Sequence, residues 1–154
     1  MRQAFGGWQM NAILVASSGR VFSVQNNSAV ANTGVTGVND RPNRIASGNL
    51  ANPTLAEWFD ITAFKAQTTG TVGNAGVNIL RGPGYFQQNA SIFKNFKLTE
   101  AFNLQFRAET FNLSNSPMFA VPNSALGGPN FGVITSTVAT STPRQFQFAL
   151  KLLF

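Results

Sequence analysis

Along residues 145–154 apolar and polar side chains alternate: Phe146, Phe148, Leu150, Leu152 and Phe154 fall to one side, and Gln145, Gln147, Ala149 and Lys151 to the other. Successive residues of a β-strand point to opposite faces of its sheet, so this spacing predicts a strand with one wholly apolar and one mostly polar face. About ten residues is also the length of a tilted transmembrane β-strand, which sets apolar side chains toward lipid and polar ones toward a lumen.

Three earlier segments repeat the design. Residues 7–16 set Trp8, Met10, Ala12, Leu14 and Ala16 against Gln9, Asn11, Ile13 and Val15. Residues 102–113 set Phe102, Leu104, Phe106 and Ala108 against Asn103, Gln105, Arg107 and Glu109. Residues 89–98 put Ala90, Ile92, Phe96 and Leu98 on the apolar side but leave Lys94 among them. A lysine at the bilayer midplane costs roughly 2–4 kcal/mol, so Lys94 requires either a bulge that turns it inward or a route by which it snorkels to the interface.

The connections alternate in length. Thr99, Glu100 and Ala101 are enough for a tight hairpin, whereas 17–88 and 114–144 are long and rich in Gly, Asn, Ser, Thr and Pro. Outer-membrane barrels have short periplasmic turns and longer extracellular loops. The fold expected is therefore all-β: antiparallel up-and-down strands forming part of a transmembrane β-barrel, with long extracellular loops. Trp8, Phe102 and Phe154 then fall near one rim, as an interfacial aromatic girdle requires. Within the first long connection, residues 21–24 extend a strand or form a short ribbon. Thr54-Leu55-Ala56-Glu57 has the form of a capping box ahead of a helical turn within 55–65.

Composition agrees with this picture. Charged residues are 10% of the 154, against roughly a quarter in ordinary soluble domains, and there are 15 Phe against 3 Met. Aromatic rings suit a pleated surface. No apolar run approaches the roughly 18 residues of a membrane-spanning helix. A soluble or secreted all-β module of structural or adhesive function is the alternative, in which the apolar faces would pack as two sheets. The beginning, Met1 to Ala4 running into Phe5-Gly6-Gly7-Trp8, has no apolar segment of a secretory signal. Four strands also fall short of the about eight that the smallest bacterial barrels use, so the expectation is a C-terminal fragment of a larger barrel.

Candidate chemistry is sparse. There is no Cys and no His, and 11 Lys and Arg face 5 acids. The cations are scattered rather than clustered with aromatics, which argues against a nucleic-acid partner. Glu57 and Asp60 are the nearest thing to an acid pair, and solvated loop acids are the simpler reading. Glycines such as Gly70, Gly73 and Gly76 lack the Lys-Ser/Thr of a phosphate-binding loop and read as turns. No catalytic, cofactor-binding or metal-ligating residue is expected, so the chain is expected not to be an enzyme. The residues expected to face a lumen are Asn103, Gln105, Arg107, Glu109, Gln145, Gln147 and Lys151. Of these, Arg107 and Glu109 either brace the wall as an ion pair or line a substrate path. Phe146, Phe148, Leu150, Leu152 and Phe154 have the form of a C-terminal signal for the barrel-assembly machinery.

One resemblance sharpens these expectations. Gly6-Gly7-Trp8-Gln9, Ser18-Gly19, Arg41-Pro42-Asn43, Trp58-Phe59-Asp60, Gly73-Asn74-Ala75-Gly76, Leu80-Arg81-Gly82-Pro83-Gly84-Tyr85, Lys94-Asn95-Phe96, the segment from Phe106 to Asn112, Phe131-Gly132 and Pro143-Arg144-Gln145 come in an order and spacing that resemble the C-terminal end of the Oar-like TonB-dependent outer-membrane receptors. These are large proteins with a carboxypeptidase-regulatory-like domain, a plug and a many-stranded barrel. The resemblance implies an outer-membrane location and passage of a bulky substrate. It also implies partners in outer-membrane lipid, the barrel-assembly machinery and, through N-terminal parts outside this chain, the TonB complex. Two positions depart from the family. Ala90 stands where an aspartate is usual, which would remove a lumen-facing charge, and Ser114 stands where a Phe is usual.

Overall fold

The computed structural model describes residues 5–32 and 40–154. Residues 1–4, read above for an export signal, and 33–39 of the first long connection lie outside them. In chain order the strands are β1 (Trp8–Ser17), β2 (Val21–Phe22), β3 (Gln25–Asn26), β4 (Asn43–Arg44), β5 (Phe64–Lys65), β6 (Leu80–Arg81), β7 (Tyr85–Lys97), β8 (Asn103–Phe111), β9 (Ala125–Leu126) and β10 (Gln145–Leu153). The chain divides into two compact units.

The first unit comprises Met1–Ser17, Tyr85–Met118 and Thr140–Phe154 and holds the four long strands. They form one antiparallel sheet in the order β1-β7-β8-β10. Pairing runs unbroken from Trp8↔Lys94 to Ser17↔Tyr85, from Ala90↔Thr110 to Lys97↔Asn103, and from Gln145↔Phe111 to Leu153↔Asn103. The β7–β8 hairpin closes at one end, where the amides of Leu98 and Thr99 both donate to the Phe102 carbonyl. Both long connections leave from the other end, between Ser17 and Tyr85 and between Phe111 and Gln145. Strand β7 begins at Tyr85, four residues before the expected position, because Phe86 and Gln88 pair with Ala16 and Leu14, although Gln88 breaks the apolar pattern.

The continuous register assigns every side chain to a face. One face carries Trp8, Met10, Ala12 and Leu14, then Ala90 and Ile92, then Leu104, Phe106 and Ala108, then Phe146, Phe148, Leu150 and Leu152. Ala90 thus lies opposite Ala12 and Thr110 on the apolar face, so the departure at that position takes no charge from the polar side, contrary to the expectation. The apolar side chains stand in the open: Phe148 is 69%, Leu150 70% and Phe154 95% exposed. Phe106 and Phe148 stack across β8 and β10 with centroids 6.3 Å apart.

The second unit, Ser18–Gly84 with Phe119–Ala139, has a conventional core. Phe22, Val24, Phe59, Ala63, Phe64 and Leu80 are buried together, with Trp58, Ile79, Leu126 and Phe131 against them. Phe59 is the centre, with the rings of Phe22, Phe64 and Phe131 at 5.7, 5.8 and 5.2 Å. Because Phe131 comes from the second long connection and the others from the first, the two connections fold as one body. Parallel pairing of β3 with β9 and the bond from the Trp58 amide to the Gly132 carbonyl join them further. The helical turn expected within 55–65 is a single 3-10 turn, Ile61–Ala63, opened by Asp60, whose carboxylate accepts from the Thr62 amide. The Thr54 hydroxyl does accept from the Glu57 amide, as the capping box requires, but no helix follows at once: the Thr54 amide donates to the Glu57 carbonyl and closes a turn. At Gly73 a Cβ would stand 2.0 Å from the Arg41 carbonyl oxygen, so only glycine allows that approach.

Truncating Phe59 to Ala removes the centre of this core and is expected to cost the second unit about 3–5 kcal/mol. Amide hydrogen exchange should rise throughout 58–64 and around Phe131 while the amides of β7 and β8 stay protected. Equal loss of protection in both units would contradict a separately cored second unit.

Candidate functional site

The face opposite the apolar one is dominated by amides. Counting across the register, Gln9 and Asn11 of β1 lie beside Phe93 and Ser91 of β7, which in turn face Arg107 and Glu109 of β8, with Ala149 and Gln147 of β10 beyond. All seven residues expected on the polar side, Asn103, Gln105, Arg107, Glu109, Gln145, Gln147 and Lys151, share this face, and Gln105 pairs with Lys151 as Glu109 does with Gln147. Sequence reading overlooked their neighbours on β7, Asn89, Ser91 and Asn95. The period-two rule places these on the same side once Ala90 and Ile92 are assigned to the other.

Within this face Gln105 Nε2 donates to Asn95 Oδ1 at 2.9 Å. Among the described residues Arg107 and Glu109 form no ion pair. The Arg107 guanidinium lies 4.6 Å from the centroid of the Phe93 ring, and its Nε has no hydrogen-bond partner there. The guanidinium is thus held by the ring rather than by Glu109, which lies one step along the same face, and its buried Nε is left unsatisfied. Beside Glu109 a shallow cradle of about 200 Å³ is lined by Asn11, Ile13, Asn89, Ser91 and Phe111.

Within the four long strands Lys94 is the cation that falls on the apolar face, and the structure accounts for it without a bulge. It pairs in register with Trp8, next to the hairpin end, and is 2% exposed. Its Nζ donates to the Gly6 carbonyl and lies 4.9 Å from the Trp8 ring and 5.5 Å from the Phe96 ring. Cation–π contacts are worth up to about 2 kcal/mol when desolvated, enough to offset much of the cost of an ammonium near lipid. The lysine is thus roofed by two girdle aromatics at the rim.

Of the two loop acids, Glu57 is exposed and its amide donates to the Thr54 hydroxyl. Asp60 spends Oδ1 on the Thr62 amide and hydroxyl, at 2.9 and 2.6 Å. Among the described residues no three acidic side chains converge as metal ligands, and no helix is long and apolar enough to cross a membrane, a statement that leaves β-strands untouched.

A family model described as an outer membrane beta barrel domain matches residues 1–147, nearly the whole chain. The chain belongs to that family. No curated protein and no solved structure gives a significant match. For an outer membrane beta-barrel domain the location is the outer membrane, and strands of such barrels carry apolar side chains on the face that meets hydrocarbon.

The two faces make opposite demands on a charge. Leu150→Arg, on the apolar face, should destabilise the membrane-inserted barrel by roughly 2–4 kcal/mol, whereas Ala149→Arg, its neighbour on the polar face, should change stability little. Urea unfolding in lipid vesicles measures both, and equal costs would contradict the assignment of faces.

Proposed function

We propose that this outer membrane beta-barrel domain is the C-terminal wall of a TonB-dependent receptor or transporter. The long connections lie outside the cell, and the amide-rich face lines a lumen through which a bulky substrate passes. The observation that carries this reading is the sheet itself. It has one hydrogen-bonding face and one bare apolar face, a three-residue turn at one end and long connections at the other. At both edges, β1 and β10, it has a neighbour on one side only. Unpaired edges are not tolerated in a bilayer, so closing the wall takes further strands on both sides. In the receptor reading the closed wall is a wide one, and wide barrels of that kind enclose a plugged lumen rather than a packed core.

The resemblance of the ordered motifs to Oar-like receptors supports the TonB-dependent assignment. In this reading the partners are outer-membrane lipid, the barrel-assembly machinery and, by way of a plug and contact segment not contained in these residues, the TonB complex. In this reading the described residues serve as wall and contact surface rather than as catalytic groups, metal ligands or a cofactor site. Lumen contacts come from Asn103, Gln105, Arg107, Glu109, Gln145, Gln147 and Lys151. The terminal face of Phe146, Phe148, Leu150, Leu152 and Phe154 serves as the assembly signal.

Two measurements on the barrel that contains this chain test the proposal. Deleting Phe154 should lower the heat-modifiable, outer-membrane-inserted fraction several-fold, and unchanged insertion would refute the signal role. In cells without a TonB complex the barrel should still insert but energised passage should stop; passage that continues would mark a passive pore instead.

A further inference from the structure

The apolar face is not flat. Register aligns Met10, Ile92, Ala108 and Phe148 in one row across the strands and Ala12, Ala90, Thr110 and Phe146 in the next, so three alanines and a threonine lie together between larger side chains. The result is a groove of about 520 Å³. Its floor is Ala12, Ala90 and Ala108, with Met10 on one flank and Phe146 and Phe148 on the other. A small-residue floor by itself says only that something thin fits against it. A second observation, at the end nearest the long connections, says what.

There Leu113 and Phe146 line the groove, and both are held by the same cation. The guanidinium of Arg144 lies 5.7 Å from the Phe146 ring centroid, and its Nη1 reaches the Leu113 carbonyl at 3.4 Å. The backbone beneath it is fixed, since the Arg144 amide donates to Asn115 Oδ1 at 3.0 Å. Asn112 ties the neighbouring turns together, its Nδ2 donating to the carbonyls of Ser116 and Thr142. Arg144 is exposed and immediately precedes β10 at the rim, and its contact with the Phe146 ring sets the guanidinium beside the apolar face. A guanidinium on a steady backbone at the mouth of an apolar groove matches an acyl chain joined to a phosphate, because arginine's planar donors fit phosphate oxygens in pairs.

We propose that this groove and Arg144 form a specific site for one anionic, phosphorylated acyl lipid. The chain lies along Ala12, Ala90 and Ala108, and the phosphate lies on the Arg144 guanidinium. The leaflet it occupies, the outer one, rests on the orientation proposed above; the site's chemistry does not. Such a lipid would cover the shallowest part of the wall and pin the rim from which the second long connection departs.

The test uses the whole barrel that carries this chain, purified in a non-ionic detergent, with dioleoyl phosphatidylglycerol as the anionic probe and dioleoyl phosphatidylcholine as the neutral-headgroup control. Native mass spectrometry should show one phosphatidylglycerol retained about tenfold more tightly than phosphatidylcholine, the difference expected of one charge-assisted pairing. Arg144→Gln should remove that preference while leaving both lipids weakly bound. Ala90→Leu, which fills the groove, should reduce retention of both, and Ala149→Leu on the opposite face should change neither. Heat-modifiability confirms for each variant that the barrel is folded. Equal retention of the two lipids, or loss of preference in none of the variants, would overturn the site. So would Ala90→Leu altering only the fraction of dimer, which would make the groove a contact between copies. Orientation is read separately: the chain has no cysteine, so a single Thr142→Cys labelled in intact cells by a membrane-impermeant maleimide places this rim outside. Labelling only after lysis would refute the orientation while leaving the lipid site to stand or fall on its own data.

Discussion

A four-stranded sheet whose apolar side has no protein against it is a costly object in water, and most of this chain's features follow from meeting that cost with lipid. Burial of apolar area is worth about 25 cal/mol per Å². Here the face that would supply it in a soluble protein is left bare, with Phe148, Leu150 and Phe154 more than half exposed. The hydrocarbon of the outer membrane takes the place of a second sheet. This explains why the sheet's other face can be given over to amides and why Lys94 must be roofed by Trp8 and Phe96.

The chain solves its second problem, ordering two long connections, by conventional means. The second unit buries its own aromatic cluster around Phe59, drawn from both connections, and so owes its stability to packing rather than to the membrane. The division is one of solvent. One unit has hydrophobic residues on its outside because its surroundings are apolar, and the other has them inside because its surroundings are wet.

What could be read in advance follows the same division. Period-two alternation reports directly on a two-faced sheet, so β1, β8 and β10 were legible to within a residue or two. Strand β7 was harder, since Gln88 and Lys94 fall on its apolar side and only the register explains them. Nothing periodic marks Phe22, Phe59, Phe64 or Phe131, which stand singly among Gly, Asn and Pro, so a second core was not foreseen. The motifs behind the family resemblance had a physical meaning that their order alone did not reveal: they are contact partners. Gly6-Gly7-Trp8 meets Lys94-Asn95-Phe96, with the Asn95 amide on the Gly7 carbonyl. Arg41-Pro42-Asn43 meets Gly73-Asn74-Ala75-Gly76, with the Ala75 amide on the Pro42 carbonyl. Ser18-Gly19 meets Arg81, and Trp58-Phe59 meets Phe131-Gly132. At Arg107 and Glu109 sequence proximity suggested an ion pair, but the cross-strand neighbour Phe93 offered the guanidinium a ring.

The central claim is that lipid covers one face of this sheet and water the other. Because the chain lacks cysteine, single cysteines can be placed in turn along β10 and labelled with an environment-sensitive fluorophore in the vesicle-inserted barrel. Brominated lipid should quench the label at positions 146, 148, 150 and 152, and aqueous iodide at 145, 147, 149 and 151. Quenching that fails to alternate, with iodide reaching both sets equally, would contradict the account.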